Sequence, residues 1–263
     1  MVEIQKELCI GCGACVKDCP GGALKLEEGK ANAVRRCIQC GHCVAVCPVK
    51  AVSIPEYDMD EVEEYEKEAF ALNPETFLRA VKFRRSIRDF TDRKADRRTM
   101  EDILNAGRYT ATAKNVQGNT FVVVQEQLSE FKALVWQELP GIIQVLEEHN
   151  PSYAKAFSYF HRKWERDHSQ DNLFFKCTAF LAIGSENLLD GGLAAANMEN
   201  MAVAKGMGVL YSGYLQGIIS ASPVLTKWLG LVEKKLSCCM LLGYPAVTYK
   251  RTAPRKKADI RWK

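Results

Sequence analysis

Long apolar runs are missing from this 263-residue chain. None approaches the roughly 18–20 consecutive apolar residues that a membrane-spanning helix needs, so we expect no membrane partner. The first residues, MVEIQKELC, lack a positive segment followed by an apolar one, and a secretory signal is therefore not expected either. Eleven cysteines without an export signal indicate metal or redox chemistry in a reducing cytoplasm rather than disulfide bonds.

Motifs typical of nucleotide and nucleic-acid binding are also absent. No GxGxxG run follows a strand-like segment and no Walker-type run occurs, which argues against a dedicated dinucleotide-binding fold. The net charge of +4 includes a basic tail at residues 250–263, with seven basic residues against one acid. Because no helix-turn-helix, zinc-finger or aromatic-interleaved strand pattern accompanies this tail, we expect a small anionic ligand rather than a nucleic acid.

Two cysteine runs of identical spacing are present, CIGCGACVKDCP at 9–20 and CIQCGHCVAVCP at 37–48. Each reads Cys-x2-Cys-x2-Cys-x3-Cys-Pro, so residues 1 to about 55 resemble a bacterial two-cluster ferredoxin, in which the fourth cysteine of each run binds the other cluster. Structural zinc is the alternative, but two such runs ending in proline do not favour it. The resemblance implies two 4Fe-4S clusters, one held by Cys9, Cys12, Cys15 and Cys47 and the other by Cys37, Cys40, Cys43 and Cys19.

An acidic stretch separates the cysteine runs from the rest of the chain. Residues 56–68 contain eight acids, so we interpret 56–75 as a solvated helix or linker between domains. Apolar, β-branched runs alternate with helical patterns over residues 76–263, which indicates an α+β domain with a central mixed sheet flanked by helices. Within it, residues 126–172 are helical, aromatic and charged without one clear stripe, and we expect them to form a peripheral insertion. The small ferredoxin-like domain is expected at residues 1–55.

Three helices of the second domain have distinct signals. Proline in the first turn predicts a helix that starts at Pro74. Thr99 and Asp102 offer a capping pattern for the next helix. Residues 187–208 are dense in Ala, Gly and Met, a composition that lets a helix pack along its whole circumference, at a domain centre or a subunit interface. The buried stripe of the first helix is expected to comprise Phe77, Leu78 and Val81.

The run RRSIRDF at 84–90 is a candidate anion site, since guanidinium groups match phosphate oxygens in geometry. Together with TATAKNVQ at 110–117 and LGYPAVTYKRTAPRK at 242–256, it resembles the flavin-dependent nitroreductase family over residues 76–263. With the preceding cysteine runs, the whole chain resembles ferredoxin-fused nitroreductases.

This resemblance implies an FMN site that is shared between the subunits of a homodimer. The arginine run binds the cofactor, the 110–117 run reaches across from the partner subunit, and a backbone amide near Gly213 faces the flavin's hydride-accepting nitrogen. Ala111 and Gly118-Asn119 depart from the family's usual Pro and Pro-Trp, so the resemblance does not identify the substrate. The implied cofactor-binding residues are Arg84, Arg85, Ser86, Arg88, Thr112, Asn115, Gln117, Tyr211, Ser212, Gly213, Arg251 and Arg255.

The implied activity is that of an FMN-dependent oxidoreductase with a small organic acceptor, such as a nitroaromatic, quinone or activated alkene. Its electron donor is a reduced ferredoxin or NAD(P)H. In this family NAD(P)H binds without a dedicated dinucleotide-binding fold. No acid or base residue is assigned, because protons in this family can come from water or from substrate-specific residues. A non-catalytic electron-transfer module between protein partners is the main alternative. An iron–sulfur redox sensor is a third, although no output motif is visible.

Overall fold

The computed structural model describes all residues 1–263, which form two compact units. The first unit comprises Met1–Leu72 together with Thr112–Val116, and the second comprises Asn73–Ala111 together with Gln117–Lys263. Most of the predicted acidic linker thus belongs to the first unit, as does a five-residue segment from the middle of the chain. None of the helices combines the length and apolar character that crossing a bilayer requires.

Short elements surround the cysteines of the first unit. Strand β1 pairs with β4 and β2 pairs with β3, both antiparallel. Helices α1 and α2 each follow a glycine, Gly13 and Gly41, whose φ angles of 71° and 77° lie in the left-handed region that glycine adopts without strain. The elements are β1 (Glu3–Ile4), α1 (Ala14–Lys17), β2 (Leu24–Glu27), β3 (Lys30–Ala33), α2 (His42–Ala45), β4 (Val52–Ser53) and α3 (Lys67–Phe70).

A four-stranded sheet organises the second unit, with strand order β5-β6-β8-β7 and antiparallel pairing throughout. A parallel bridge between Ser86 and Val209 adds the arginine run at the β7 edge. Each strand of this sheet lies within an apolar run of the sequence. The elements are α4 (Pro74–Phe83), α5 (Arg97–Arg108), β5 (Thr120–Val124), α6 (Leu128–His149), α7 (Pro151–Arg166), β6 (Ala179–Ser185), α8 (Leu188–Ala204), β7 (Gly208–Tyr211), α9 (Gly213–Ala221), α10 (Pro223–Trp228) and β8 (Lys235–Gly243).

Apolar clusters cover both faces of this sheet. Successive side chains of a strand point to opposite faces, so neighbouring residues of β6 belong to different clusters. Phe180 and Ala182 of β6 pack in one apolar cluster with α6, α7 and α9, whereas Leu181 and Ile183 pack in another with α5 and α8. Helices α6 and α7 therefore supply core side chains instead of lying at the periphery, as the sequence had suggested. Their buried residues include Phe131, Trp136, Leu139 and Phe157.

Two local expectations differ from the structure. Helix α4 begins at Pro74 as predicted, but Phe77, Leu78 and Val81 are 43%, 51% and 43% exposed, because nothing in this chain covers them. Helix α5 is capped by Asp96 and not by Thr99. The Asp96 carboxylate accepts the Thr99 backbone N–H at 2.7 Å, so Thr99 lies in the first turn as a donor.

Candidate functional site

Two cavities of the first unit are each bordered by four cysteines. The open space within the larger is about 470 Å³ and within the smaller about 320 Å³, with the solvent at each mouth included. Each takes three cysteines from one run and the fourth from the other, the grouping that the resemblance to ferredoxins implies. Cys37, Cys40, Cys43 and Cys19 line the larger cavity, and Cys9, Cys12, Cys15 and Cys47 line the smaller.

Backbone donors approach the sulfurs in a repeated pattern. The Ala23 N–H donates to Cys19 Sγ at 3.2 Å, and the Ala51 N–H donates to Cys47 Sγ at 3.3 Å. These two pairs occupy equivalent places in the two runs. Hydrogen bonds to the sulfurs are one of the means by which proteins stabilise an iron–sulfur cluster and set its potential. The repeated donors therefore fit cluster-bound thiolates.

The thiols have different local environments. A hydrogen bond from the Ala31 backbone lowers the pKa of Cys9, whereas burial raises the pKa of the Cys43 thiol to about 11. Iron binding would deprotonate such a buried thiol, since metal ligation releases protons. No group of three or more histidine, cysteine or acidic side chains is arranged to hold a single metal ion. The two all-sulfur donor sets fit two iron–sulfur clusters.

The arginine run of the second unit connects two parts of its chain. At one end Ser86 bridges Val209 of β7, and at the other Phe90 bridges Pro245, which follows β8. The Ala246 N–H also donates to the Asp89 carbonyl oxygen at 2.9 Å. The structure therefore brings together RRSIRDF, strand β7 and the Gly-Tyr-Pro segment.

Two glycines make this close approach sterically possible. A Cβ atom at Gly208 would lie 2.4 Å from Ile87 Cγ1, and one at Gly243 would lie 2.8 Å from Phe90 Cδ1. Neither distance is compatible with a non-bonded carbon contact. The glycine in Gly-Tyr-Pro is therefore explained by packing against the arginine run and not by ligand contact.

Arg84 is paired with a buried acid. Its Nη1 lies 3.5 Å from Glu199 Oε1 on α8. Burial raises the pKa of Glu199, and the positive charge of Arg84 opposes that rise. Burial, together with the nearby Glu199 carboxylate, also raises the pKa of Tyr211. The first arginine of the run thus has an internal counter-charge.

Arg85 retains an unused donor. Its Nη2 donates to the Arg251 carbonyl oxygen at 3.2 Å, and its guanidinium lies 5.3 Å from the centroid of the Tyr249 ring. Its Nη1, in contrast, is buried without a hydrogen-bond partner. Arg88 and Arg255 are both exposed. An unpaired buried guanidinium nitrogen fits an anionic ligand such as a flavin phosphate.

The residues at the end of β7 form the start of α9. Tyr211 ends the strand, and the Ser212 hydroxyl caps the helix by accepting the Leu215 N–H at 3.3 Å. Gly213 is the first helical residue. The N–H groups of a first turn have no partner within the helix, so the Gly213 amide is of the type that can donate to a ligand.

The predicted 110–117 run divides between the two units. Thr112 and Asn115 belong to the first unit, and Gln117 belongs to the second. Asn115 Nδ2 donates to the carbonyl oxygens of Ile38 and Gln39, both at 3.0 Å. These carbonyls lie between Cys37 and Cys40. No sequence signal indicated this contact.

Sequence reasoning also missed an aromatic group beside Gly213. The Tyr214 ring lies 5.7, 5.6 and 5.5 Å, centroid to centroid, from Tyr153, Phe157 and Phe160 of α7. The spacing of these three α7 residues along the chain places them on one helix face, which is the signal that could have identified them.

Comparison with protein-family models identifies both units. A model of the nitroreductase family matches residues 81–244, and a model of the 4Fe-4S dicluster domain matches residues 1–67. The chain belongs to the nitroreductase family. It is a nitroreductase-like oxidoreductase with an N-terminal 4Fe-4S dicluster domain, so the predicted fusion is confirmed. No curated protein matches the chain.

Solved structures share the fold of the second unit. A nitroreductase with bound FMN from Bacteroides fragilis NCTC 9343 has a TM-score of 0.56 at 19% identity, covering 73% of this chain and 100% of its own. A nitroreductase with bound FMN from Desulfitobacterium hafniense DCB-2 has a TM-score of 0.54 at 19% identity, covering 73% and 99%. An FMN-dependent nitroreductase from Clostridium difficile R20291 has a TM-score of 0.53 at 15% identity, covering 72% and 100%.

Proposed function

We propose that this protein is an FMN-dependent oxidoreductase that passes electrons through two 4Fe-4S clusters and FMN to a small organic acceptor. The donor is a low-potential one, reduced ferredoxin or NAD(P)H, and the acceptor is a nitroaromatic, quinone or activated alkene. The observation that carries the proposal is the pair of four-cysteine cavities in a chain whose second unit has the nitroreductase fold. Bound clusters supply single electrons, and bound FMN supplies two-electron chemistry.

The arginine run is the basis for the proposed FMN site. The unpaired Nη1 of Arg85 supports a role in binding the phosphate, and Arg88 adds an exposed positive charge. Arg84 is already neutralised by Glu199, so its contribution is to hold the run against α8. The Gly213 amide is a candidate donor to the flavin ring, because it is in the first turn of α9.

The aromatic group around Tyr214 supports an organic acceptor. Tyr214 follows Gly213 directly and is 39% exposed, while Phe157 beneath it is fully buried. Aromatic faces favour flat, apolar or electron-poor molecules through stacking. This feature favours a catalytic enzyme over an electron-transfer module that serves only protein partners.

Exposed apolar side chains support a homodimer. Phe77, Leu78 and Val81 of α4 are exposed in the single chain, as are Leu189 and Leu193 of α8. A second copy is the proposed cover for these faces. Thr112, Gln117 and the amide oxygen of Asn115, whose Nδ2 is engaged by Ile38 and Gln39, would complete the FMN site of the partner subunit. We also propose a cytoplasmic location, because all eleven cysteines are free.

Metal and flavin analysis of protein purified without oxygen tests the proposal. We expect about eight iron, about eight acid-labile sulfides and about one FMN per chain, and sedimentation as a dimer. Turnover with a panel of acceptors is then compared between reduced ferredoxin and NAD(P)H. Stoichiometric zinc, or loaded protein that reduces no acceptor from either donor, would contradict the proposal.

Replacement of one crossed ligand tests how the clusters are held. Cys19→Ser should lower the iron content to about half, because the cluster shared with Cys37, Cys40 and Cys43 loses a thiolate ligand. Cys177→Ser is the matched control, since Cys177 is a buried cysteine of the second unit and iron content should not change. Full iron content in Cys19→Ser protein would rule out the crossed ligation.

A further inference from the structure

The two cysteine runs differ in what covers them. In the first run, a Cβ atom at Gly11 would lie only 2.0 Å from the Gly29 carbonyl oxygen, so the turn between β2 and β3 lies directly against this loop. Lys30, just after the turn, donates to the Cys9 carbonyl oxygen. The first loop is therefore held by its own hairpin.

The second run is covered differently: the segment after β4 turns at residues 54–57, where the Tyr57 N–H donates to the Ile54 carbonyl oxygen at 2.9 Å. Gln39 corresponds to Gly11 and has a left-handed φ of 52°. The Glu56 carboxylate, in that turn, accepts hydrogen bonds from the Gln39 side chain and from the ammonium group of Met1. This contact to the second loop is made between side chains, whereas the first loop lies against the backbone of its hairpin turn.

A segment from the middle of the chain supplies a further, backbone-directed restraint. Asn115 donates both amide hydrogens to the loop between Cys37 and Cys40. Its Nδ2 lies 3.0 Å from the carbonyl oxygens of both Ile38 and Gln39. Its φ of 55° is in the left-handed region, which asparagine tolerates better than most residues. The backbone conformation and the side-chain contacts thus both favour asparagine at this position.

We infer that Asn115 is a positioning residue for the cluster held by Cys37, Cys40, Cys43 and Cys19, and that it raises the reduction potential of that cluster. The inference rests on the proposed two-cluster function. Reduction adds a negative charge to the cluster, and the two amide hydrogens neutralise carbonyl dipoles next to two of its ligands. Without these donors the reduced form loses stabilisation, and the potential becomes more negative.

The position of Asn115 in the chain gives this contact a functional consequence. Asn115 is two residues from Gln117, a predicted FMN contact that belongs to the second unit. A single short stretch of chain therefore carries both a residue that restrains a cluster loop and a residue proposed for the flavin site. Asn115 would set the potential of a cluster on the route to the flavin.

Redox titration of the full-length protein, loaded with both clusters and FMN, tests the inference. Asn115→Asp keeps the shape and the tolerance for left-handed φ but replaces the donors by a negative charge, so we expect the largest negative shift. Asn115→Leu should shift the same cluster signal by less. Glutamine and leucine both tolerate a left-handed φ less well than asparagine, but Asn115→Gln retains an amide. The cluster potential of Asn115→Gln protein should therefore lie closer to that of the wild type.

Two further variants serve as controls. Lys30→Met removes a donor from the Cys9 carbonyl and should shift the other cluster signal, which identifies the two signals in the spectrum. Lys114→Gln changes the exposed neighbour of Asn115 and should shift neither. Iron release to a chelator from the second cluster of Asn115→Leu protein should be about 5- to 30-fold faster, as expected for the loss of one or two hydrogen bonds.

The outcomes separate this inference from the proposed function. Wild-type protein without clusters would overturn both. Normal wild-type clusters with unshifted potentials in Asn115→Asp and Asn115→Leu protein would overturn the inference alone. A shift of both cluster signals, or of the same signal as in Lys30→Met protein, would also contradict it.

Discussion

The two units of this protein are stabilised in different ways. The core of the first unit includes Cys9, Cys15 and Cys43, and its strands are only two to four residues long. The second unit has apolar clusters on both faces of its sheet, and β6 is buried at all seven positions. A small unit buries too little apolar surface to be very stable, whereas the larger unit buries a substantial core. The comparison leads us to propose that clusters, when bound, contribute to the first unit's fold, whereas the core of the second unit forms without a cofactor.

Removal of the clusters should produce the largest difference in stability between the two units. Chelation of the iron should unfold the first unit, because ligand binding that requires the folded state contributes directly to its stability. The sheet of the second unit should persist. Limited proteolysis with mass spectrometry should then show cleavage within residues 1–72 and protection of β6 and β8. A protease-resistant first unit after complete loss of iron would contradict the proposed difference.

A core substitution should produce the opposite pattern. Phe180→Ala removes a fully buried ring from the central strand and should lower the free energy of unfolding of the second unit by about 3–5 kcal/mol. The iron content should be unchanged. Denaturant titration of the second unit measures the effect, and Tyr159→Ala, at an exposed aromatic of α7, should cost about 0.5 kcal/mol or less. Iron loss in Phe180→Ala protein would show that the units do not fold independently.

A substitution in the arginine run should have the smallest effect on folding and a specific effect on the flavin. Arg85→Ala should weaken FMN binding about ten- to a hundred-fold, because a charge-assisted hydrogen bond is lost. Fluorescence titration with FMN measures this affinity. Arg97→Ala removes the same charge from the exposed face of α5 and should leave the affinity unchanged. Equal FMN affinity in the two variants would mean that Arg85 is not a phosphate ligand.

Local patterns in the sequence correctly predicted the type of the first domain and several secondary-structure elements. The spacing of each cysteine run predicted a two-cluster domain, and the family comparison confirms a dicluster domain there. Asn73-Pro74 predicted the start of α4, and apolar, β-branched runs indicated strands in the second domain. These features depend on residues that are close in the chain, so a single sequence is sufficient to identify them.

Other expectations failed because they concerned neighbours that are distant in the chain. An apolar stripe predicted a buried face on α4, but whether anything covers a stripe depends on tertiary or quaternary contacts. The mixed composition of 126–172 concealed two core helices, because their buried residues pack against a sheet formed elsewhere. The cap of α5 was misassigned by three residues, since Thr99 and Asp96 are both acceptable capping residues.

The sequence by itself determined the two kinds of unit, because ligand spacing and charge density are properties of short segments, and from it we propose the residues that hold clusters and a flavin phosphate. Only the tertiary structure decided that Arg85 keeps a free donor while Arg84 is paired with Glu199. It alone also decided that Asn115 contacts the loop between Cys37 and Cys40. These contacts join residues 76 to 115 positions apart, and no local pattern encodes which distant carbonyl or carboxylate a side chain will meet.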